Sequence, residues 1–330
     1  MKKILVTEEI HPEAIAILEK SAQVIRPRDT SREALLEALS EAEGVIPRKS
    51  RITAEDMKHA PRLKIIARHG VGYDTVDIKE ATRRGILVTN TPGANTESVA
   101  EFAIGFMISC LRCFNRGQGV LRNPPRQGLS LSGIASDQYL TEMDLEGKVL
   151  GVIGTGRIGS SVARKCRAAF DVRVLGYDPY VEAEEMAGRG AQKMESLAEM
   201  LPSINILTIH CPLTEETRGM VGQKELAMMK RGSYVINTAR GGILDESALY
   251  QALHSGHIAG AALDVWEIEP PDPFNPLLSL ENVVATPHIA GTAEESLRRM
   301  AITAVEEVLL ALKGEQPRFV VNPEVLSRKD

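Results

Sequence analysis

The fold of this chain is decided by residues 149–178, which read VLGVIGTGRIGSSVARKCRAAFDVRVLGYD. The apolar start is typical of a buried strand, and a helix is predicted from Ser160 to Phe170. Between them stands a G-x-G-x-x-G turn formed by Gly154, Gly156 and Gly159. Such glycines permit a tight turn and let backbone N–H groups approach a pyrophosphate at the positive helix end. The stretch therefore predicts a dinucleotide-binding strand, turn and helix.

Asp178 ends the second predicted strand of this unit, about 20 residues after the glycine turn, as the dinucleotide fingerprint requires. A carboxylate there accepts hydrogen bonds from the adenosine ribose hydroxyls, and its charge repels a 2′-phosphate. The sequence thus favours NAD over NADP as cofactor. Arg157, inside the turn, is expected either to contact a phosphate or to face solvent.

Short apolar runs and capped amphipathic segments alternate along the rest of the chain. Before residue 112 they predict helices between strands at 4–6, 24–25, 44–46, 64–67 and 86–88. From residue 148 they predict six strands, at 148–153, 172–177, 204–209, 234–237, 260–263 and 283–286. Alternation of this kind predicts two α/β domains with parallel sheets, the second one doubly wound and Rossmann-type.

Two helices are expected to cross between these domains, one at 96–114 and one at 293–312, the latter with a capping box from Thr292 to Glu295. The cleft between the domains is then the expected ligand site. Periodicity fades over residues 116–145, where we expect a surface excursion.

Charge and composition exclude several kinds of partner. The 330 residues carry a net charge of −5 and no long Lys/Arg block, which argues against a nucleic-acid partner. The apolar run at 99–111 is too short to span a bilayer, and the N-terminal apolar run meets Glu8 too early for a signal peptide. Four cysteines are too few for a disulfide framework, which favours the cytoplasm. Cys110 and Cys113 are interpreted as core or interface thiols inside a helix rather than as a redox pair, and no metal site is expected.

Five ordered segments resemble the D-2-hydroxyacid dehydrogenase family, and the similarity runs from about Lys3 to Gly314. They are 91–101 (TPGANTESVAE), the glycine turn, 237–242 (NTARGG), 262–270 (ALDVWEIEP) and 286–291 (TPHIAG). The resemblance implies a nucleotide-binding domain inserted into a split, flavodoxin-like substrate domain, and a homodimer formed through the nucleotide-binding domain. We accordingly expect the substrate domain at 1–99 and 294–330, and the NAD-binding domain at 100–293.

The same resemblance implies that Arg240, Glu269 and His288 are the catalytic residues. Oxidation of a secondary alcohol needs a base for the hydroxyl proton, and histidine titrates in the appropriate range. Glu269, bonded to the other ring nitrogen, would fix the tautomer and favour the imidazolium. Arg240 would grip the substrate carboxylate while touching the 2-oxygen.

The expected cofactor contacts combine the glycine motif with positions taken from the resemblance, among them Asp264 at the nicotinamide carboxamide. In full they are Gly154, Gly156, Arg157, Ile158, Gly159, Asp178, His210, Pro212, Thr238, Asp264 and Gly291.

Residues of the first domain are expected to determine which substrate is bound. Arg48 and Arg68 follow two predicted strands, and segment 68–74 (RHGVGYD) resembles the substrate loop of 3-phosphoglycerate dehydrogenases; Val71 and Gly72 belong to it. Two guanidinium groups suit a second anionic group such as a phosphate. The alternatives are reduction of hydroxypyruvate or glyoxylate, oxidation of another doubly anionic acid such as a sulfonated one, or an NAD(H)-sensing corepressor-like binding protein.

Overall fold

The computed structural model describes residues 1–122 and 143–328, and the chain divides into two compact units. The first comprises residues 1–95 and 291–330, and the second comprises residues 96–290. Each unit is a parallel sheet flanked by helices.

Strands and helices alternate through most of the described residues. The strands are β1 (Lys3–Val6), β2 (Gln23–Ile25), β3 (Gly44–Ile46), β4 (Ile65–Ala67), β5 (Leu87–Thr89), β6 (Val149–Ile153), β7 (Arg173–Tyr177), β8 (Gln192–Lys193), β9 (Ile206–Ile209), β10 (Ser233–Asn237), β11 (Ile258–Leu263) and β12 (Val283–Ala285). The helices are α1 (Pro12–Glu19), α2 (Arg32–Glu41), α3 (Ala54–Lys58), α4 (Ile78–Arg83), α5 (Thr96–Leu111), α6 (Phe114–Arg122), α7 (Arg157–Phe170), α8 (Ala183–Gly188), α9 (Leu197–Met200), α10 (Gln223–Met228), α11 (Glu246–His254) and α12 (Glu294–Lys313).

The first unit has the strand order β2-β1-β3-β4-β5, all parallel, which is the flavodoxin-like order. Its core includes side chains of β1, β4 and α12, with Ile4, Ile65 and Val305 in one buried cluster. The strands β3 and β4 are neighbours, so the residues that follow them share the carboxyl edge of the sheet.

The second unit has the strand order β12-β11-β10-β9-β6-β7-β8, also parallel. This is the doubly wound arrangement, with its topological switch between β6 and β9, and it confirms the predicted fold class. The two-residue edge strand β8, at Gln192–Lys193, is too short to show a period and was not predicted from the sequence.

The helix predicted to end at Phe114 instead ends at Leu111, and Cys113 takes a left-handed φ of 50°. The chain then forms α6 over the first residues of the expected excursion, where Asn115 Nδ2 donates to the Val283 carbonyl at 3.0 Å. The placement of Cys113 within a helix was therefore wrong, because the turn interrupts it. Residues 123–142 of the expected excursion lie outside the described residues. At its end, the Met143 N–H donates to the Leu111 carbonyl at 3.1 Å and Leu145 is buried rather than on the surface.

The predicted capping box at the last helix is also not formed. Ala293 is the N-cap of α12 and makes no side-chain cap hydrogen bond, while Ser296 Oγ donates to the carbonyls of Gly291 and Ala293. Among residues 1–122 and 143–328, no helix combines the length and apolar character needed to cross a membrane.

Candidate active site

The three glycines of the turn after β6 have different physical roles. A Cβ on Gly154, whose φ is 82°, would lie 2.6 Å from the Cys211 nitrogen, and one on Gly159 would overlap the Gly154 carbonyl oxygen. The packing of the protein itself therefore requires these two. Gly156, the N-cap of α7, has a φ of −64° and no heavy atom within 4 Å of a built Cβ. Its small size instead leaves space in front of the helix N-terminus, where a pyrophosphate fits.

Asp178 lies directly after β7 and faces the glycine turn. Its Oδ2 accepts a hydrogen bond from the Thr155 backbone N–H at 3.0 Å, and Oδ1 accepts one from the Tyr180 N–H at 3.2 Å. The carboxylate is thus fixed beside the turn. Ile158 is half-buried in α7, and the Arg157 side chain next to it is exposed.

Two buried polar atoms lie at the carboxyl ends of β9 and β10 without hydrogen-bond partners among the described residues. They are Nδ1 of His210, whose Nε2 lies 2.9 Å from Thr208 Oγ1, and Oγ1 of Thr238. Burial lowers the pKa of His210 to about 3, so the ring is neutral. Unpaired buried polar atoms are costly, and a polar ligand would supply their partners. These atoms and the space at Gly156 fit a dinucleotide.

Two further expected cofactor positions are less informative. Pro212 is exposed, and its carbonyl accepts a hydrogen bond from Thr217 Oγ1 at 2.6 Å. Gly291 belongs to the first unit, where a Cβ would lie 2.9 Å from Asn95 Nδ2.

His288 and Glu269 form a hydrogen-bonded pair, with Nδ1 of the imidazole 2.7 Å from Oε2 of the carboxylate. The other carboxylate oxygen accepts the Trp266 backbone N–H at 3.2 Å. Desolvation alone would raise the pKa of Glu269. The pKa is nevertheless lowered by the hydrogen bond and charge of His288, by the Trp266 N–H and by the charge of Arg240. Both side chains stay accessible, with 45% of His288 and 38% of Glu269 exposed.

Arg240 follows β10 in a turn shaped by Asn237. The Asn237 side chain accepts the Ala239 N–H at 3.0 Å and donates to the Arg240 carbonyl at 3.0 Å. Arg240 Nη1 donates to the Ala239 carbonyl at 2.7 Å. The Arg240 charge also contributes to lowering the Glu269 pKa, which links Arg240 electrostatically to the His288–Glu269 pair.

Trp266 connects the segments that carry these side chains, a role the sequence analysis did not assign. Its indole N–H donates to the Thr286 carbonyl at 3.0 Å, two residues before His288. A Cβ on Gly241 would overlap the Trp266 carbonyl, so the Arg240 turn lies directly against this residue. Hydrophobic periodicity along the sequence does not reveal such contacts. The available signal was that Trp266 is the single tryptophan of the chain, and the structure buries it to 3% exposure.

In the first unit, Arg48 and Arg68 lie at the carboxyl edge formed by β3 and β4. Arg48 Nη1 donates to the Glu9 carbonyl at 3.2 Å, and the Arg68 guanidinium donates to the His69 carbonyl. The charges of both arginines reinforce the effect of burial on His69, whose pKa falls to about 4. The two arginines are therefore close to a common neutral imidazole.

Glu8, which follows β1, organises the same edge and was not assigned a role from the sequence. Its carboxylate accepts backbone N–H bonds from Arg48 at 2.9 Å, Lys49 at 3.0 Å and Ser50 at 2.6 Å. Burial raises the pKa of Glu8, but these bonds and those of the Thr7 and Ser50 side chains outweigh it and lower the pKa. On the neighbouring loop, the Val71 carbonyl accepts a hydrogen bond from Asn90 Nδ2 at 2.7 Å, and Gly72 is half-buried.

The doubly wound sheet, its glycine turn and the adjoining polar atoms define a dinucleotide-binding α/β protein. Comparison with known proteins agrees: residues 104–290 match the family model described as D-isomer specific 2-hydroxyacid dehydrogenase, NAD binding domain. The chain therefore belongs to the D-isomer specific 2-hydroxyacid dehydrogenase family.

Individual relatives carry two different names. A D-3-phosphoglycerate dehydrogenase of Methanocaldococcus jannaschii is 38% identical over 98% of this chain and 60% of its own length. A glyoxylate reductase of Aeropyrum pernix is 38% identical over 98% of this chain and 97% of its own. The crystal structure of the TT0316 protein from Thermus thermophilus superimposes with a TM-score of 0.87 at 36% identity, covering 97% of this chain and 99% of that one. The chain thus spans about 60% of the length of the phosphoglycerate dehydrogenase it matches.

Proposed function

We propose that this protein is an oxidoreductase that transfers a hydride between NAD(H) and C2 of a D-2-hydroxy acid or the corresponding 2-oxo acid. The observation that carries the proposal is the accessible His288–Glu269 pair at 2.7 Å, with the Arg240 charge acting on its carboxylate. The family membership supports the same reaction class.

Each of the three side chains has a defined task in this proposal. Glu269 accepts the hydrogen on Nδ1 of His288, which leaves Nε2 to exchange a proton with the substrate 2-oxygen. In reduction His288 gives that proton, and in oxidation it takes the proton back. Arg240 binds the carboxylate and orients C2. The nicotinamide, when bound, supplies or accepts the hydride.

The cofactor is proposed to be NAD rather than NADP. Asp178, held beside the glycine turn by the Thr155 N–H, puts a negative charge where a 2′-phosphate would lie. The residues that we propose to line the cofactor come from the glycine turn and from the ends of neighbouring strands and loops. They are Gly154, Gly156, Arg157, Ile158, Gly159, His210, Pro212, Thr238, Asp264 and Gly291.

For the substrate we propose 3-phosphoglycerate, bound through Arg48 and Arg68 with Val71 and Gly72 nearby. The charges of both arginines act on His69, and a phosphate needs such charge-assisted bonds. Hydroxypyruvate and glyoxylate are the second candidates, supported by the glyoxylate reductases among the relatives. A sulfonated 2-hydroxy acid would satisfy the same arginines.

A panel of substrates tests this choice. Steady-state rates of NADH oxidation are measured with phosphohydroxypyruvate, hydroxypyruvate and glyoxylate, and the first should have the highest kcat/KM. Arg68→Gln should raise KM for phosphohydroxypyruvate by at least tenfold, whereas the exposed Arg26→Gln should leave KM unchanged. Turnover of hydroxypyruvate without turnover of the phosphorylated acid would contradict the two-arginine assignment. NADH binding without oxidation by any 2-oxo acid would favour a sensing protein.

We also propose a cytoplasmic homodimer formed through the second unit. The exposed Phe114 (55%) and Leu121 (72%) of α6 offer an apolar surface to a second copy, and the four free cysteines suit a reducing compartment. Light scattering should give twice the chain mass, and Leu121→Glu should shift it toward the monomer. A monomeric wild-type protein would contradict this part.

A further inference from the structure

Asp264, the residue after β11, makes three hydrogen bonds to the turn that carries His288. Its Oδ1 accepts the Thr286 hydroxyl at 2.5 Å and the Ile289 N–H at 2.8 Å, while Oδ2 accepts the Ala290 N–H at 2.8 Å. The residue is 0% exposed. One buried carboxylate therefore binds the turn on both sides of His288.

His288 itself has a left-handed backbone, with a φ of 58°. Residues other than glycine adopt this conformation infrequently, and it persists where the surrounding structure enforces it. The two N–H groups that follow His288 both point at the Asp264 carboxylate. Charge-assisted hydrogen bonds of this kind are about twice as strong as neutral ones. They account for the retention of the turn conformation.

We infer that Asp264 is a positioning residue that holds His288 in the orientation needed to meet Glu269. The inference rests on the proposed function and gives Asp264 a task besides the nicotinamide contact expected from the family. Trp266 holds Glu269, the other member of the pair, because its backbone N–H donates a hydrogen bond to the Glu269 carboxylate at 3.2 Å. The segment that follows β11 thus fixes both members of the pair.

The direct test is Asp264→Asn, a near-isosteric change that replaces one acceptor oxygen with an NH₂ group facing backbone N–H donors. We expect kcat, measured at saturating NADH, to fall by about 10- to 100-fold, beyond any rise in the Kd for NADH that follows from loss of the proposed nicotinamide contact. The amides of Ile289 and Ala290 should exchange hydrogen faster. Asp171→Asn, the same change at an exposed helix end, should alter none of these quantities.

Thr286→Val provides a milder variant if Asp264→Asn folds poorly, because it removes only one of the three hydrogen bonds. It should lower kcat by about threefold without weakening NADH binding, because Thr286 is not among the proposed cofactor contacts. With an active wild-type protein, unchanged kcat or unchanged exchange at Ile289 and Ala290 in Asp264→Asn would overturn the inference. A large rise in NADH Kd with unchanged exchange would also overturn it, in favour of a cofactor contact alone.

Hydrogen exchange separates this inference from the proposed function. If the wild-type protein reduces no 2-oxo acid, the proposed reaction fails, yet faster exchange at Ile289 and Ala290 in Asp264→Asn still supports the positioning role. If the wild-type protein is active and exchange is unaffected, the positioning role alone fails.

Discussion

Nδ1 of His288 lies 2.7 Å from Oε2 of Glu269, so one ring nitrogen is committed to the carboxylate and Nε2 is left for chemistry. The pair is accessible to a substrate, with more than a third of each side chain exposed. This relationship determines which substitutions should affect turnover and which should affect only cofactor binding or stability.

Replacing His288 with alanine removes the proposed proton donor and acceptor while leaving the glycine turn intact. Turnover should fall by ~10² to 10⁴, the usual contribution of general acid–base catalysis, and the Kd for NADH should stay within a few-fold. Steady-state kinetics and fluorescence titration measure the two quantities. The exposed His59→Ala serves as control. Unchanged turnover in His288→Ala would remove this residue from the mechanism.

Gly156 and Gly159 should respond differently to alanine. A Cβ at Gly156 meets no heavy atom within 4 Å, so Gly156→Ala should keep the melting temperature but weaken NADH binding about tenfold or more. Gly159→Ala should lower the melting temperature, because its Cβ overlaps the Gly154 carbonyl. Thermal melts and NADH titrations separate the two effects. Normal NADH affinity in Gly156→Ala would mean that no ligand occupies the space beside this glycine.

Asp178→Ala should reduce the preference for NAD over NADP, since the charge opposing a 2′-phosphate is removed. The ratio of kcat/KM values for NADH and NADPH should fall by about tenfold or more. Glu182→Ala, which removes a carboxylate from the N-cap of α8 where it makes no side-chain cap bond, is the matched control. An unchanged ratio in Asp178→Ala would show that another group reads the ribose.

His69 should make stability depend on pH. Burial first, then the charges of Arg48 and Arg68, lower its pKa to about 4, while an unfolded histidine titrates near 6.5. The neutral ring is therefore favoured in the folded state, and its contribution is full above pH 6.5 and is lost as the pH falls toward 4. When the pH is lowered from 7 to 4.5, the free energy of unfolding should fall in wild type by about 2 kcal/mol more than it falls in His69→Gln. Urea denaturation at the two pH values measures this difference. If the free energy of unfolding of wild type and His69→Gln had the same pH dependence, His69 would not be held neutral by burial. The control is His59→Gln at an exposed site, whose stability should depend on pH as in wild type.

The α/β architecture could be predicted because most of the strands and several of the helix caps carry a local signal. Thr53 and Asp56, for example, form a capping box at the start of α3, and Asp77 caps α4. Thr292 matched a capping pattern as well, but the helix begins after Ala293, and the Ser296 hydroxyl bonds the carbonyls of Gly291 and Ala293 there. The break at Cys113 was missed because its left-handed turn has no glycine to announce it.

The candidate site was predicted less completely. The glycine turn was predicted from its motif, and Arg240, Glu269 and His288 were predicted from the family resemblance. The hydrogen bonds that hold these side chains in place could not be predicted. Trp266 and Asp264 act through contacts with segments about 20 residues away, and Glu8 reaches a loop 40 positions along the chain. Such long-range hydrogen bonds leave no periodic signature in a single sequence.

The central claim is tested most directly by following the hydride itself. The protein is incubated with NADH deuterated at C4 of the nicotinamide, on the face used, together with phosphohydroxypyruvate, hydroxypyruvate or glyoxylate, and the product is analysed by mass spectrometry and NMR. The account predicts a 2-hydroxy acid carrying one deuterium at C2, formed far more slowly by His288→Ala. Tight binding of the deuterated NADH with no labelled product from any of these acids would contradict it.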